Sequence, residues 1–281
     1  MVDHPAPDGH YFDMESAATG DDMESAATGD IFRPTAHARG PWDAESCHAG
    51  PPTGLLARAV EHLLPDMRLA RITVELTRPV PMAGFTIAAE ITRHGRSVAT
   101  ATARIIDTDD RVVVTANSSH LRADGPFDLP TPNVPHPDID ATVADQFPLT
   151  ASRHGLDAFM GSTAVRTPVD TGHGRDADGR ATMWMRTVPL LATEEPSPFQ
   201  AICPLADCGN AIGRNAEPTE VAFMNTDLSI HLHRAPVGAW FASRALSHWN
   251  ADGIGMSDAE LFDAAGPVGR AVQTLLIRPA G

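Results

Sequence analysis

The chain has 281 residues, 42% of them hydrophobic, a net charge of −15, and 21 basic residues that are all arginine. That length admits one large domain or two of ordinary size. The acidic balance, without a basic run, removes the footprint of nucleic-acid binding, and an anionic ligand needs a local arginine cluster against a repulsive field.

From the start, MVDHPAPDGHYFD lacks a charged-then-apolar signal pattern, and no apolar run approaches the ~20 residues of a membrane span. Cys47, Cys203 and Cys208 are too few and too scattered for a disulfide framework or a zinc site. The expectation is a soluble cytoplasmic protein with no metal or cofactor. Residues 13–30 are a nine-residue string written twice in tandem. Small, polar and acidic, the segment reads as an exposed loop that tolerates insertion.

Ile31-Phe-Arg-Pro-Thr35 reads as a short strand. Gly40-Pro-Trp42 leads into Cys47-His-Ala-Gly-Pro-Pro-Thr53. The spacing of Leu55, Leu56, Ala59, Val60 and Leu63 predicts a helix over 53–64, opened by Thr53 or the prolines before it. Four strands follow at about 70–80, 84–94, 97–107 and 111–122, with Ile72, Val74 and Leu76 alternating onto one face. His94-Gly-Arg96 and Asp107-Thr-Asp-Asp110 read as hairpin turns. The proline-rich stretch 124–150 reads as a linker. Beyond it come weak strand signals at 156–167, a Gly/Asp-rich loop at 170–179, a strand at 181–189 and a helix at 198–214. Strands at about 221–234, 239–249, 254–263 and 267–278 complete the chain.

The two halves repeat. Adding 156 to positions in 70–122 reproduces the second half without a gap: Arg78 lands on Arg234, Phe85 on Phe241, Asp107 on Asp263, Arg122 on Arg278. Ile72 matches Leu228, Val74 matches Ile230 and Val112 matches Val268. This predicts an α+β protein of two fused lobes, 1–125 and 151–281, joined by 126–150. Each lobe has a helix that covers one face of an antiparallel sheet.

Several strings carry a family resemblance. They are Gly40-Pro-Trp42, His48-Ala-Gly-Pro-Pro52, Glu75-Leu-Thr-Arg-Pro-Val80, Pro189-Leu-Leu191, Glu194-Glu-Pro-Ser-Pro198 and Leu205-Ala-Asp207. Asn225-Thr-Asp-Leu-Ser-Ile-His-Leu-His-Arg234 and Gln273-Thr-Leu-Leu-Ile-Arg278 complete the set. Together they resemble the double-hotdog, type II acyl-CoA thioesterases of the thioesterase-like superfamily, from about residue 31 to the C-terminus. The resemblance implies a sheet wrapped around a central helix in each lobe. It also implies a water held by an Asp on the second lobe's helix, a Thr on the next strand and a Gln on the last.

Asp207 and Gln273 match two of those positions. The third falls on Asn225, a departure, with Thr226 beside it; a strand places these neighbours on opposite faces. Asn225 can hold a water as Thr does, and Thr226 stays in reserve. Gln273 maps onto Asn117 in the repeat, and the first lobe has no counterpart of Asp207, so one competent site per chain is expected. His48 and Gly50 are the candidates for substrate contact. The structural alternatives are an ordinary helix carboxylate for Asp207, a strand-start residue bonding its own backbone for Asn225, and a partnered core amide for Gln273.

The implied activity is hydrolysis of a fatty acyl-CoA to free acid and CoA, in fatty acid metabolism, with the acyl chain in an apolar tunnel between helix and sheet. The alternatives are a non-hydrolytic acyl-thioester binding protein and a hotdog hydratase or dehydratase. The latter needs an Asp/His or Glu/His pair, which the sequence does not place near Asp207. Cys47-His48 does not form a thiol–imidazole pair, since adjacent side chains diverge. His231 and His233 share a strand face but lack a third metal ligand nearby. The Arg93-His-Gly-Arg96 turn reads as a solvated tip rather than a contact for CoA phosphates. No nucleophile elbow, phosphate loop or dinucleotide fingerprint occurs. Exposed strand edges make a homodimer or larger homo-oligomer the expected state.

Overall fold

The structure, a computed structural model, describes residues 7–16, 27–149, 154–169 and 175–280. Its strands are β1 (Phe12–Glu15), β2 (Ala27–Pro34), β3 (Arg68–Leu76), β4 (Phe85–His94), β5 (Val98–Asp107), β6 (Val112–Leu121) and β7 (Thr142–Asp145) in the first part of the chain. Then come β8 (Thr163–Pro168), β9 (Ala181–Thr187), β10 (Val221–Asn225), β11 (Asp227–Leu232), β12 (Phe241–Trp249), β13 (Ile254–Asp263) and β14 (Gly266–Pro279). The helices are α1 (Gly50–Leu63), α2 (Pro198–Ala206) and the single turn α3 (Gly209–Ile212).

The strands form one sheet in the order β1-β2-β4-β5-β6-β3-β11-β14-β13-β12-β9-β8-β7, with β10 also on β14. The lobes meet where β3 pairs antiparallel with β11, Val74 opposite Leu228 and Ile72 opposite Ile230. All four of these side chains are buried, so the seam is also core. α1 lies against β3 to β6, and α2 against β9, β11 and β12. The two helices pack on each other, antiparallel, in the hollow of the sheet. This is a double hotdog.

Helix α1 starts three residues before Thr53, because Pro51 and Pro52 occupy its first turn, where a missing N–H costs no intrahelical bond. Its first half is buried all round, from Gly50 through Ala57. Gly50 admits this closeness: a Cβ there would lie 2.8 Å from Pro204 Cα on α2. The second helix is shorter than the expected 198–214. Ser197 caps it through the Gln200 N–H at 3.2 Å. Pro204 leaves the Gln200 carbonyl without its helical donor, and the helix breaks after Ala206 into α3.

Three other expectations are corrected. The linker 126–150 ends in structure: β7 pairs with β8, and Phe147 and Leu149 are buried. The ends of the duplicated segment are strands rather than loop, since Asp13–Glu15 pair with β2 and Ala27 and Thr28 pair with β4. Its middle, 17–26, lies outside the described residues, as do 170–174 of the expected Gly/Asp-rich loop. The strand expected over 221–234 is two strands separated at Thr226. The matching place in the first lobe is the irregularity between Leu69 and Arg71.

The repeat itself carries a gap. Ile106 pairs with Val112 in the first lobe, whereas Phe262 pairs with Pro267 in the second. The turn before β14 is therefore one residue shorter, and one residue reverses the faces of a strand. Ala101 faces Ser118 and its repeat mate Ser257 faces Gln273. Ser118, buried, is the counterpart of Gln273. Asn117 points outward and bonds Thr102 Oγ1 at 3.1 Å.

Candidate active site

Asp207 ends α2, 4% exposed. Its Oδ1 accepts from Asn225 Nδ2 at 2.8 Å and Gln273 Nε2 at 3.0 Å. The N–H groups of Ala49 and Gly50 also point to its carboxyl group, the latter shared with His48 Nδ1 at 3.2 Å. Those amides open α1, a helix with no side-chain cap of its own. Asp207 thus supplies, from the other lobe, the acceptor and the negative charge that a helix N-terminus favours. Burial nevertheless dominates and raises its pKa to about 7, against the lowering by Asn225, Gly50, Gln273 and Ala49.

His48 Nδ1 lies 3.1 Å from Asp207 Oδ2. Burial lowers the imidazole pKa to about 3, so the ring is neutral at neutral pH. Its stacking on the buried Phe159, centroids 3.9 Å apart, fixes the ring plane. With Nδ1 also receiving the Gly50 N–H, the Nδ1–Oδ2 contact is a hydrogen bond when one of the two atoms carries a proton. An Asp/His pair therefore exists at Asp207, contrary to the expectation from sequence. The two residues come from different lobes, and no local spacing could announce them.

Gln273, 1% exposed, is saturated. Its Nε2 donates to Asp207 Oδ1 and, at 2.9 Å, to the Asp207 carbonyl; its Oε1 accepts the Asn210 N–H at 3.0 Å. Gly209 permits this fit, since a Cβ there would lie 3.2 Å from Gln273 Oε1. Gln273 holds Asp207 and the start of α3 in place from behind.

A cavity of about 390 Å³ opens in front of Asp207 between the lobes. Asp207, His48, Asn225, Thr226 and Asn210 line it, with an apolar wall that includes Trp42, Leu149 and Met224. Gln273 and Gly50 are absent from the lining. The structure thus brings Asp207, Asn225, Gln273 and His48 together, and puts Gly50 in the helix packing. Thr226 lines the cavity, but its side chain makes no hydrogen bond to Asp207 among the described residues. The Asn225 amide also reaches the Asp227 carbonyl, at 3.4 Å, so the strand-start bond coexists with the contact to Asp207.

Asn210 is the residue that sequence reasoning missed. It is 8% exposed and lines the cavity. No side-chain partner is present for its amide among the described residues. Its only signal was its place three positions after Asp207. Cys47 also lines the cavity, but burial pushes its thiol well up, which removes the thiolate needed for nucleophilic attack. No group of three potential metal ligands occurs among the described residues. Arg93 and Arg96 lie outside the cavity lining.

Comparison with known proteins adds two matches. Residues 38–121 match the acyl-CoA thioesterase N-terminal domain, and residues 138–277 match the acyl-CoA thioesterase C-terminal domain. No curated protein sequence matches the chain. Among solved structures, it is similar to a conserved protein of unknown function with hot dog fold from Alicyclobacillus acidocaldarius, at TM-score 0.69 and 16% identity over 89% of this chain and 92% of that one. It is also similar to the tesB protein of Mycobacterium avium subs paratuberculosis (TM-score 0.61, 13% identity, 89% and 92% covered). The acyl-CoA thioesterase II TesB2 of Mycobacterium marinum aligns at TM-score 0.57 and 16% identity, again over 89% and 92%. At these identities the likeness to solved structures speaks for the fold alone.

Proposed function

Since this chain belongs to the acyl-CoA thioesterase family, we propose that it hydrolyses a fatty acyl-CoA to the free acid and CoA, with Asp207 as the general base. The observation that carries this reading is one carboxyl group, with a pKa raised to about 7, at the wall of a largely apolar cavity. A base poised near neutrality matches its task.

In the reaction, a water in the cavity attacks the thioester carbonyl carbon as Asp207 takes its proton. Asn225 fixes the direction of Asp207 through Oδ1 and offers its own Oδ1 to the water. The free amide of Asn210 donates to the carbonyl oxygen as it becomes negative. When the C–S bond breaks, the proton on Asp207 passes to the departing thiolate. His48 holds Oδ2 and shares that proton. Gln273 is a positioning residue that touches Asp207 and not the water.

The test is thiol release from a panel of acyl-CoAs, with Asp207→Ala as control. Turnover that disappears in the variant supports the assignment; turnover that survives removes Asp207 from the mechanism. The His48–Asp207 contact favours a second reading, hydration of an enoyl thioester. Loss of the enoyl absorbance without thiol release would select it.

A further inference from the structure

Arg78 and Arg234 are repeat mates, each just past one of the strands that join the lobes, and their surroundings differ. Arg234 is locked. Its Nη1 and Nη2 each lie 2.6 Å from an Asp263 oxygen, and its Nε donates to the Pro267 carbonyl at 3.0 Å. Asp107, the repeat mate of Asp263, is occupied by another residue. Arg111 Nε donates to Asp107 Oδ2 at 2.9 Å, and the Arg111 and Asp109 N–H groups donate to Oδ1, each at 2.9 Å.

The one-residue difference between the turns explains the exchange. Arg111 pairs across the β5–β6 turn where Gly266 does so in the second lobe. The longer turn brings its own cation to Asp107, and Arg78 is released. Its guanidinium has no side-chain partner among the described residues. Arg78 is exposed and, among the described residues, is the sole arginine in the lining of the cavity that contains Asp207. Asp43 lines the same cavity, but its carboxylate is engaged by the Glu45 N–H at 3.1 Å and Ser46 Oγ at 2.9 Å.

We infer that Arg78 is the phosphate-recognition residue of this cavity, receiving a phosphate from the carrier half of the substrate thioester. The inference rests on the proposed thioesterase reading for its substrate class. A chain of net charge −15 repels a polyanion at long range. One unpaired guanidinium at the mouth supplies the local attraction, and its planar fork matches phosphate oxygens. The chemistry is shared by two sources: the nucleotide phosphates of CoA and the single phosphate of a phosphopantetheine arm.

The experiment compares wild type, Arg78→Met and Arg78→Lys on three thioesters of one acyl chain: acyl-CoA, acyl-phosphopantetheine and acyl-pantetheine. The expected result is a KM for acyl-CoA raised about tenfold in Arg78→Met, partly restored in Arg78→Lys, with kcat unchanged. KM for phosphate-free acyl-pantetheine stays at the wild-type value. An equal rise for acyl-phosphopantetheine assigns the contact to the phosphopantetheine phosphate; no rise there assigns it to the nucleotide. An unchanged KM for acyl-CoA, or an equal change for acyl-pantetheine, overturns the inference. Calorimetric binding of CoA to the same proteins needs no turnover. CoA binding that weakens in Arg78→Met while wild type releases no thiol keeps the phosphate site and rejects the hydrolase reading.

Discussion

The antiparallel pair α1 and α2 has two ends, and each presents a carboxyl group from one helix to the N-terminus of the other, Asp207 buried and Glu61 half-buried. At one end Asp207 meets the first amides of α1. At the other, Glu61 Oε2 accepts from Ser197 Oγ and Gln200 Nε2, both at 2.7 Å, where α2 begins. Burial raises both carboxyl pKa values. The ends differ in what lies in front. Asp207 lines the cavity and Glu61 does not; one turn before Glu61, Arg58 grips Glu194 through Nε at 2.7 Å and Nη2 at 2.6 Å. A perturbed carboxyl group is thus insufficient for chemistry; a place in the cavity wall separates a candidate base from a clamp.

Breaking each end sharpens the contrast. Asp207→Asn preserves shape and an acceptor for Asn225, and kcat for thiol release falls by about 10²–10⁴. In the wild type, kcat/KM rises about tenfold per pH unit below about 7 and levels above it, since the ionised carboxylate is the active form. The same group shapes stability with the opposite slope. Its unfolded-state pKa lies near the ordinary carboxyl value of 3.8 and its folded value at about 7. Between these values the folded state holds more protons, so stability falls as pH rises through this window. Urea midpoints measured from pH 4 to 8 show this decline in wild type and a shallower one in Asp207→Asn, where Glu61 still contributes the same sign.

Smaller effects follow away from the base. Gln273→Leu leaves the Asn210 N–H without its partner and removes a donor from Asp207. It lowers stability by about 1–3 kcal/mol in urea unfolding and lowers kcat, while a purely structural amide would leave kcat alone. Glu61→Gln keeps an acceptor toward Ser197, costs about 1 kcal/mol, and leaves thiol release at the wild-type rate. Arg58→Met at the same end costs about 1 kcal/mol or less, because Glu194 is partly solvated.

The strands were legible because alternating apolar residues and a long repeat give the same information twice. Ile72 with Leu228 and Val74 with Ile230 mark equivalent strands of the two lobes, and only the structure shows that these strands pair with each other. The one-residue turn difference was invisible, because Val112 still aligned with Val268 although one is exposed and the other buried. Chemical identity carried the match, and the face did not. Asp207 and Gln273 were legible by resemblance, and a polar residue in an apolar run had to find a partner. That Gln273 stands behind Asp207 depends on packing through Gly209, which composition does not encode. His48 reached Asp207 only through the lobe interface, and Asn210 only through the break in the helix.

The seam of β3 and β11 has a bearing on how the molecule tolerates a cut. Residues 122–135, the peptide tether between the halves, are exposed throughout. What unites the halves is the shared ladder, the packed pair of helices and the borrowed cap at Asp207, none of which passes through that tether. A nick there severs the polypeptide and leaves a noncovalent heterodimer with its chemistry intact, so the two halves behave as obligate partners that happen to be translated together.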